Sequence, residues 1–276
     1  MSADAGGRAW RHPVPDPEFS GSGPAGRPRM LLLHGLGGHS AAWERFADRA
    51  GAACEVWNSE LPWQALGDPL WPLRFDPRWV VTDLVNRTAA DIVVAHSFSA
   101  GLVLEALAKG TIRPRAAVLV SPFYRSQAES FDWPAISHYL NNFHLVFAEA
   151  LRLGEAARYS ETHRDWLAKR LRDRVGPYGW TQWFDMYLRT PLLDLGGVTV
   201  PALVIGGDRD IAAPAAGGAQ LAAALPDALR VVLPDCGHFP MLQEPERLAA
   251  AVCDFLRARG LPGAARANHS LELEHT

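Results

Sequence analysis

Five short runs of mostly uninterrupted apolar residues, each cut off by residues able to do chemistry, constrain this chain more than any other feature. Met30–Leu33 ends at His34-Gly35, Ile92–Ala95 at His96-Ser97, and Ala116–Val120 at Ser121-Pro122. Ala202–Ile205 ends at Gly206-Gly207, and a fifth run, Arg230–Leu233, ends at Pro234. A short apolar run bounded by glycine or proline reads as a strand buried on both faces, as strands of a parallel sheet are. Helical patterns lie between them. Phe98–Lys109 puts Leu102, Val103, Ala106 and Leu107 on one face and stops at Gly110, a good C-terminal cap. Ala215–Leu225 and Pro245–Arg257 read similarly. Strand alternating with helix predicts an α/β fold, a mostly parallel central sheet flanked by helices. Such sheets carry their functional residues at the carboxyl ends of the strands.

One segment interrupts the alternation. Residues 123–197 contain no clear strand and show helical patterns around Ser137–Leu153, Thr162–Val175 and Trp180–Leu188. This segment reads as a helical cap inserted after the strand ending at Val120, with a break at Gly176-Pro177-Tyr178-Gly179 that would let it move. The core then comprises residues 30–122 and 198–259. Residues 1–29, rich in Gly and Pro, read as a flexible lead-in with one weak strand near Trp10–Val14. Residues 260–276 form a C-terminal tail.

Composition narrows the function classes. The 276 residues suit one large domain, or a core with an inserted subdomain, and bury enough surface to need no staple. Cys54, Cys236 and Cys253 have no paired or metal-like spacing, which favours a reducing compartment. The first residues lack the apolar run of a signal peptide, and no stretch is long enough to span a membrane. A cytoplasmic protein is expected. The net charge is −3, and nothing suggests a nucleic-acid partner. Nothing excludes a homodimer.

The strongest local signal is Ala95-His96-Ser97-Phe98-Ser99, between an apolar strand and a helix. A strand entering a helix through one tight turn strains its central residue, and small neighbours two positions away let the turn close. The serine hydroxyl then projects above the sheet, over a helix N-terminus that favours developing negative charge. Ser99, followed by Ala100-Gly101, is a competing register; the apolar run ends at Ala95, so Ser97 is preferred as nucleophile. A tetrahedral intermediate needs two backbone N–H donors. In an elbow of this kind one comes from the residue after the nucleophile, here Phe98. The other comes from the glycine-rich loop His34-Gly35-Leu36-Gly37-Gly38, at Leu36. No Gly-Lys-Ser/Thr triplet follows that loop, so it is not a phosphate cradle.

Gly206-Gly207-Asp208-Arg209-Asp210 offers a carboxylate to orient an imidazole, and Asp235-Cys236-Gly237-His238-Phe239 offers the imidazole. Cys236 and His238 alone, with no second cluster, make no metal site. His34, Gly35, His39 and His96 lie near the same rim. His34, Gly35 and His96, with Trp133 and Trp183 from the cap, are expected to contact substrate. The chain order Ser…Asp…His is the one expected of an α/β-hydrolase arrangement.

At this point the residues resemble the α/β-hydrolase family, over about Met30 to Leu256. LLLHGLGGHSAAW is similar to its oxyanion loop, IVVAHSFSAGL to its nucleophile strand and elbow, and LVIGGDRDIAAP to its acid motif. LPDCGHFPMLQEPERLAAAVCDFL is similar to its terminal histidine loop and last helix. In the family a proline usually lies four residues after the acid, so Pro214 points to Asp210 over Asp208. There are two departures. The two strands that usually precede the oxyanion strand are hard to find in residues 1–29, so a sheet shortened at that edge is expected. The elbow carries Ala95 and Ser99 where glycines are common. The resemblance implies a helical lid and a serine hydrolase with Ser97 as nucleophile, His238 as base and Asp210 orienting the base. Its substrate would be a small-molecule ester, thioester or lactone, whose acyl portion the aromatic residues of the cap lead us to expect to be bulky and apolar, and no cofactor is needed. Acyl transfer, cyclisation or carbon–carbon cleavage by the same residues stands as the alternative reading. A non-catalytic ligand-binding member of the fold is the second.

Overall fold

The computed structural model describes residues 18–19 and 26–261; the strand expected near Trp10–Val14 and nearly all of the expected tail lie outside them. The sheet has seven strands. In chain order they are β1 (Glu18–Phe19), β2 (Arg29–Leu33), β3 (Glu55–Ser59), β4 (Ile92–His96), β5 (Ala116–Val120), β6 (Ala202–Gly207) and β7 (Ala228–Leu233). They lie in the order β1-β3-β2-β4-β5-β6-β7; only β1 runs antiparallel to its neighbour. All five apolar runs are strands, as expected.

Period-two alternation divides each of these strands between two cores. Leu31, Leu33, Val93, Ala95, Ala117 and Leu119 face one cluster, together with side chains of α2 (Pro77–Arg87), α3 (Phe98–Ala108) and α6 (Ala215–Ala224). Met30, Leu32, Ile92, Val94, Val118 and Val120 face the other, against α1 (Glu44–Ala50) and α7 (Pro245–Ala258). A strand covered by helices on both sides has no polar face, which is why the runs of β2, β4, β5 and β6 are apolar throughout; β7, half-buried on one side, carries Arg230 there.

Two strands carry no such run. β3 (Glu-Val-Trp-Asn-Ser) pairs in parallel with β2, from Arg29 opposite Glu55 to Leu33 opposite Ser59. It brings β1, two residues long, to the far edge of the sheet. Among the described residues only this short strand precedes β2, and the sheet extends beyond β2 through β3. Helix α2 carries signals legible in the sequence: Asp76 caps it, accepting from the Arg78 N–H at 2.9 Å, and Pro77 opens it.

Between β5 and β6 the chain forms two long helices, α4 (Trp133–Leu153) and α5 (Glu161–Leu188). The side chain of Asp132 caps α4, and Ser160 caps α5. Helix α5 breaks at Gly176, whose φ of 68° is left-handed, before Pro177. Against α3, Met186 of α5 takes the space a side chain on Gly101 would need. Among the described residues no helix is long and apolar enough to cross a membrane.

The register brings the chemistry to one edge. Leu33 pairs with Ala95, His96 with Val120, Val120 with Ile205, and Gly207 with Leu233. The residues that follow these pairs therefore emerge side by side at the carboxyl edge.

Candidate active site

Ser97 has φ 55° and ψ −117°, a backbone conformation that non-glycine residues rarely adopt. The strain is held from both sides. The Ser97 N–H donates to the Val120 carbonyl at 2.8 Å, and the Ser97 carbonyl accepts from Gly101 in the first turn of α3. Gly35 must be a glycine here, since a Cβ would stand 3.0 Å from Ser97 Cβ and 2.8 Å from His96 Nδ1. The hydroxyl of Ser97 lies 3.0 Å from His238 Nε2. On the other ring edge, His238 Nδ1 donates to both Asp210 oxygens, at 3.0 and 2.9 Å. Asp210 Oδ1 also accepts the N–H groups of Ala212 and Ala213, at 2.9 and 2.8 Å.

The acid and histidine loops converge because β6 ends in Gly207. A Cβ there would lie 1.9 Å from the Cys236 carbonyl oxygen, so only glycine permits the approach. Burial alone would lower the pKa of His238, but the Asp210 charge and hydrogen bond outweigh it and hold the imidazole above its ordinary value. For Asp210 burial opposes ionisation; the His238 charge and the donated hydrogen bonds overcome it and hold the carboxyl below the usual range.

The rival candidates are placed elsewhere. Ser99 is fully buried and donates to the His34 carbonyl, so it holds the glycine-rich loop and does not meet His238. Asp208 is exposed. The N–H groups of Leu36 and Phe98 have no acceptor among the described residues, and Leu36 reaches the cavity beside Ser97. Behind that loop, Gly37 donates to the Trp63 carbonyl, and Trp63 packs edge-on against Phe98 at 5.4 Å.

His34 and His96 are buried scaffolding and do not line the cavity. His34 Nδ1 donates to the Gly35 carbonyl and its Nε2 accepts from Leu61, while burial pushes its pKa down to about 4. His96 Nε2 donates to the His238 carbonyl at 2.8 Å, and burial pushes its pKa down to about 3. Trp133 is 78% exposed and stands away from the cavity; Trp183 lines it.

A cavity of about 160 Å³ opens above Ser97 and His238. Leu36, Phe123, Ile211 and Ala212 form its core side, and Tyr139, Phe143, Val146, Phe147 and Trp183 form its cap side. Phe123 rests 5.7 Å from the His238 ring and 5.0 Å from Trp183, joining the two halves. The wall from Phe123 to Ala212 comes from residues flanking the sheet edge. Ile211 and Ala212 stand within the acid motif LVIGGDRDIAAP, whereas no motif in the sequence marks Phe123.

Comparison with known proteins agrees with this fold. A family model described as the alpha/beta hydrolase family matches residues 30–251. A pimeloyl-[acyl-carrier protein] methyl ester esterase of Aromatoleum aromaticum is 27% identical over 251 residues, covering 84% of this chain and 99% of that protein. Among solved structures, the 2-hydroxy-6-oxo-6-phenylhexa-2,4-dienoate hydrolase of Rhodococcus sp. strain RHA1 has a TM-score of 0.59 at 17% identity, covering 85% of this chain and 92% of that one. An esterase of Rhodococcus sp. ECU1013 has a TM-score of 0.57 at 16% identity, covering 87% and 94%. With four fifths of its length matched and the same layered sheet, the chain belongs to the alpha/beta hydrolase family.

Proposed function

We propose that the chain is a carboxylic ester hydrolase working through an acyl-enzyme on Ser97. The observation that carries this is the unbroken relay from Asp210 through His238 to the strained Ser97 hydroxyl, at 2.9 and 3.0 Å. His238 takes the hydroxyl proton as Ser97 attacks the ester carbonyl, then returns it to the leaving alcohol. The same imidazole next activates water, which releases the acid. The N–H groups of Leu36 and Phe98 receive the oxyanion in both steps. Asp210 holds the Nδ1 tautomer and stabilises the imidazolium.

The acyl group lies in the cavity under the cap, taken as residues 123–197. Its walls are mostly apolar, with His138 and Asn142 as polar members, and a cavity of roughly 150 Å³ is large enough for a benzene ring. Acyl portions of about six carbon atoms should therefore be preferred over acetyl. The curated relative's name, a methyl ester esterase, supports an ester as the bond cleaved. A small-molecule acyl ester in the cytoplasm completes the reading. The test is a panel of activated esters of increasing acyl length, with fluorophosphonate labelling and a Ser97→Ala control. Labelling of Ser97 and a loss of about 10⁴-fold or more in Ser97→Ala are expected. An adduct on Ser99, or full turnover without Ser97, would overturn the assignment.

A further inference from the structure

His238 is gripped on every polar atom it has. Asp210 takes its Nδ1 proton, Ser97 meets its Nε2, and His96 donates to its carbonyl. The remaining atom, the backbone N–H, donates to Glu149 Oε1 at 2.7 Å. Glu149 belongs to α4, so it is the one partner of the four that comes from the helical insertion. It reaches the loop because residue 237 is glycine. A Cβ at that position would stand 1.9 Å from Glu149 Oε1, so a side chain there and the Glu149 carboxylate exclude each other. Gln243 holds the adjacent Gly237 N–H at 2.7 Å, which leaves the His238 N–H to Glu149.

We propose that Glu149 is a positioning residue for the base: through the His238 backbone N–H it ties the imidazole's placement to the seating of helix α4. The inference rests on the reading of His238 as the base. The N–H of a loop residue buried beneath a helix needs an acceptor, because burial removes the water that would otherwise pair with it. When α4 is seated, Glu149 supplies that acceptor and the loop holds one conformation. When α4 lifts, the N–H loses its partner and the ring loses one of its four restraints. The base is thus fully aligned only when α4 is seated.

The carboxylate has a second consequence. His238, Asp210 and Arg152 are the charged or titratable groups that act on Glu149, and the Cys236 thiol feels its charge. Burial opposes ionisation of Glu149 and raises its pKa, while the His238 N–H and charge favour the carboxylate. Its charge in turn adds to that of Asp210 in stabilising the protonated imidazole.

Glu149→Gln keeps an oxygen acceptor and removes the charge; Glu149→Ala removes both. In the full chain, kcat and KM for an activated short acyl ester should be measured beside a ¹⁵N-imidazole titration of His238. Expected for Glu149→Ala is a fall of about tenfold in kcat with KM within about twofold, since the base is misplaced and the pocket is not. Glu149→Gln should return kcat to within about threefold of the parent. In both variants the His238 titration midpoint should move to lower pH. Unchanged kcat and an unchanged midpoint in both variants would overturn the inference, as would a Gln variant no better than Ala. Should the Ala variant fail to fold, Glu149→Gln and its titration still decide the outcome. Absence of turnover and of phosphonate labelling in the parent would instead overturn the esterase reading, because the titration does not depend on catalysis.

Discussion

At the residue scale, the two aspartates of the acid loop separate cleanly. Asp210 is buried against His238 with two backbone donors behind it, and Asp208, two residues earlier, is exposed. Asp210→Asn should lower kcat by about 10³–10⁴-fold by favouring the wrong imidazole tautomer, with the fold intact. Asp208→Asn should change it by less than about threefold. Steady-state kinetics with circular dichroism on both variants checks this, and equal losses would reassign the acid. The same geometry sets the acid limb of the pH profile. The proposed mechanism needs neutral His238, and the Asp210 carboxylate holds its pKa above the ordinary 6.5 despite burial. The limb of kcat/KM should therefore fall above 6.5, and it should drop in Asp210→Asn. A parent limb below the ordinary histidine value would mean that burial wins.

At the element scale, the strand-to-helix turn and the two cap helices divide the labour. The turn at Ser97 fixes the hydroxyl of the proposed nucleophile, while α4 and α5 supply the aromatic wall of the cavity beside it. Two cap aromatics make the test. Phe143 lines the cavity and stacks on Trp183 at 5.7 Å, whereas Trp133 opens α4 at 78% exposure. Phe143→Ala should shift the ranking of esters toward longer acyl chains by about tenfold in relative kcat/KM, leaving acetyl esters nearly unchanged. Trp133→Ala should leave the ranking alone. An effect of Trp133 equal to that of Phe143 would place the acyl group elsewhere on the cap.

At the scale of the whole molecule, three buried histidines give stability opposite slopes on the two sides of the ordinary imidazole value. His34 and His96 are neutral when folded, with pKa values lowered to about 4 and about 3 from 6.5. Below 6.5 the unfolded chain binds their protons and the folded chain does not, so stability is lost as pH falls toward those values. His238 works the other way. Its folded pKa is raised, so its contribution is present below 6.5 and is lost as pH rises through the folded value. Stability should peak near the ordinary histidine value and fall more steeply on the acid side, where two groups act together. Each contributes up to about 1.4 kcal/mol per pH unit there. Urea unfolding midpoints at pH 5, 6.5 and 8 would show this. Equal or rising stability between pH 6.5 and 5 would mean that the two rings are not held neutral.

What the sequence determined by itself is whatever local pattern encodes. The five apolar strands and the serine at a strand–helix turn were legible because burial on both faces and a tight elbow each leave a contiguous signature. The histidine loop was legible for a related reason, since a glycine-histidine pair after a strand end stands out locally. The choice of Asp210 over Asp208 needed the family's acid motif. β3 left no such signature: a strand written Glu-Val-Trp-Asn-Ser mixes polar and apolar residues, and only pairing with β2 makes it one. His34 and His96 sit at the predicted rim in sequence, yet they turn inward to satisfy backbone groups, because a buried loop must pair its N–H and C=O groups somewhere. Trp133 and Trp183 look alike along the chain, and only the seating of α4 and α5 decides that one meets solvent and the other the cavity. Glu149 is the extreme case. Its contact with His238 spans 89 residues and depends on a glycine beside the histidine, so nothing near it in the sequence could have announced it.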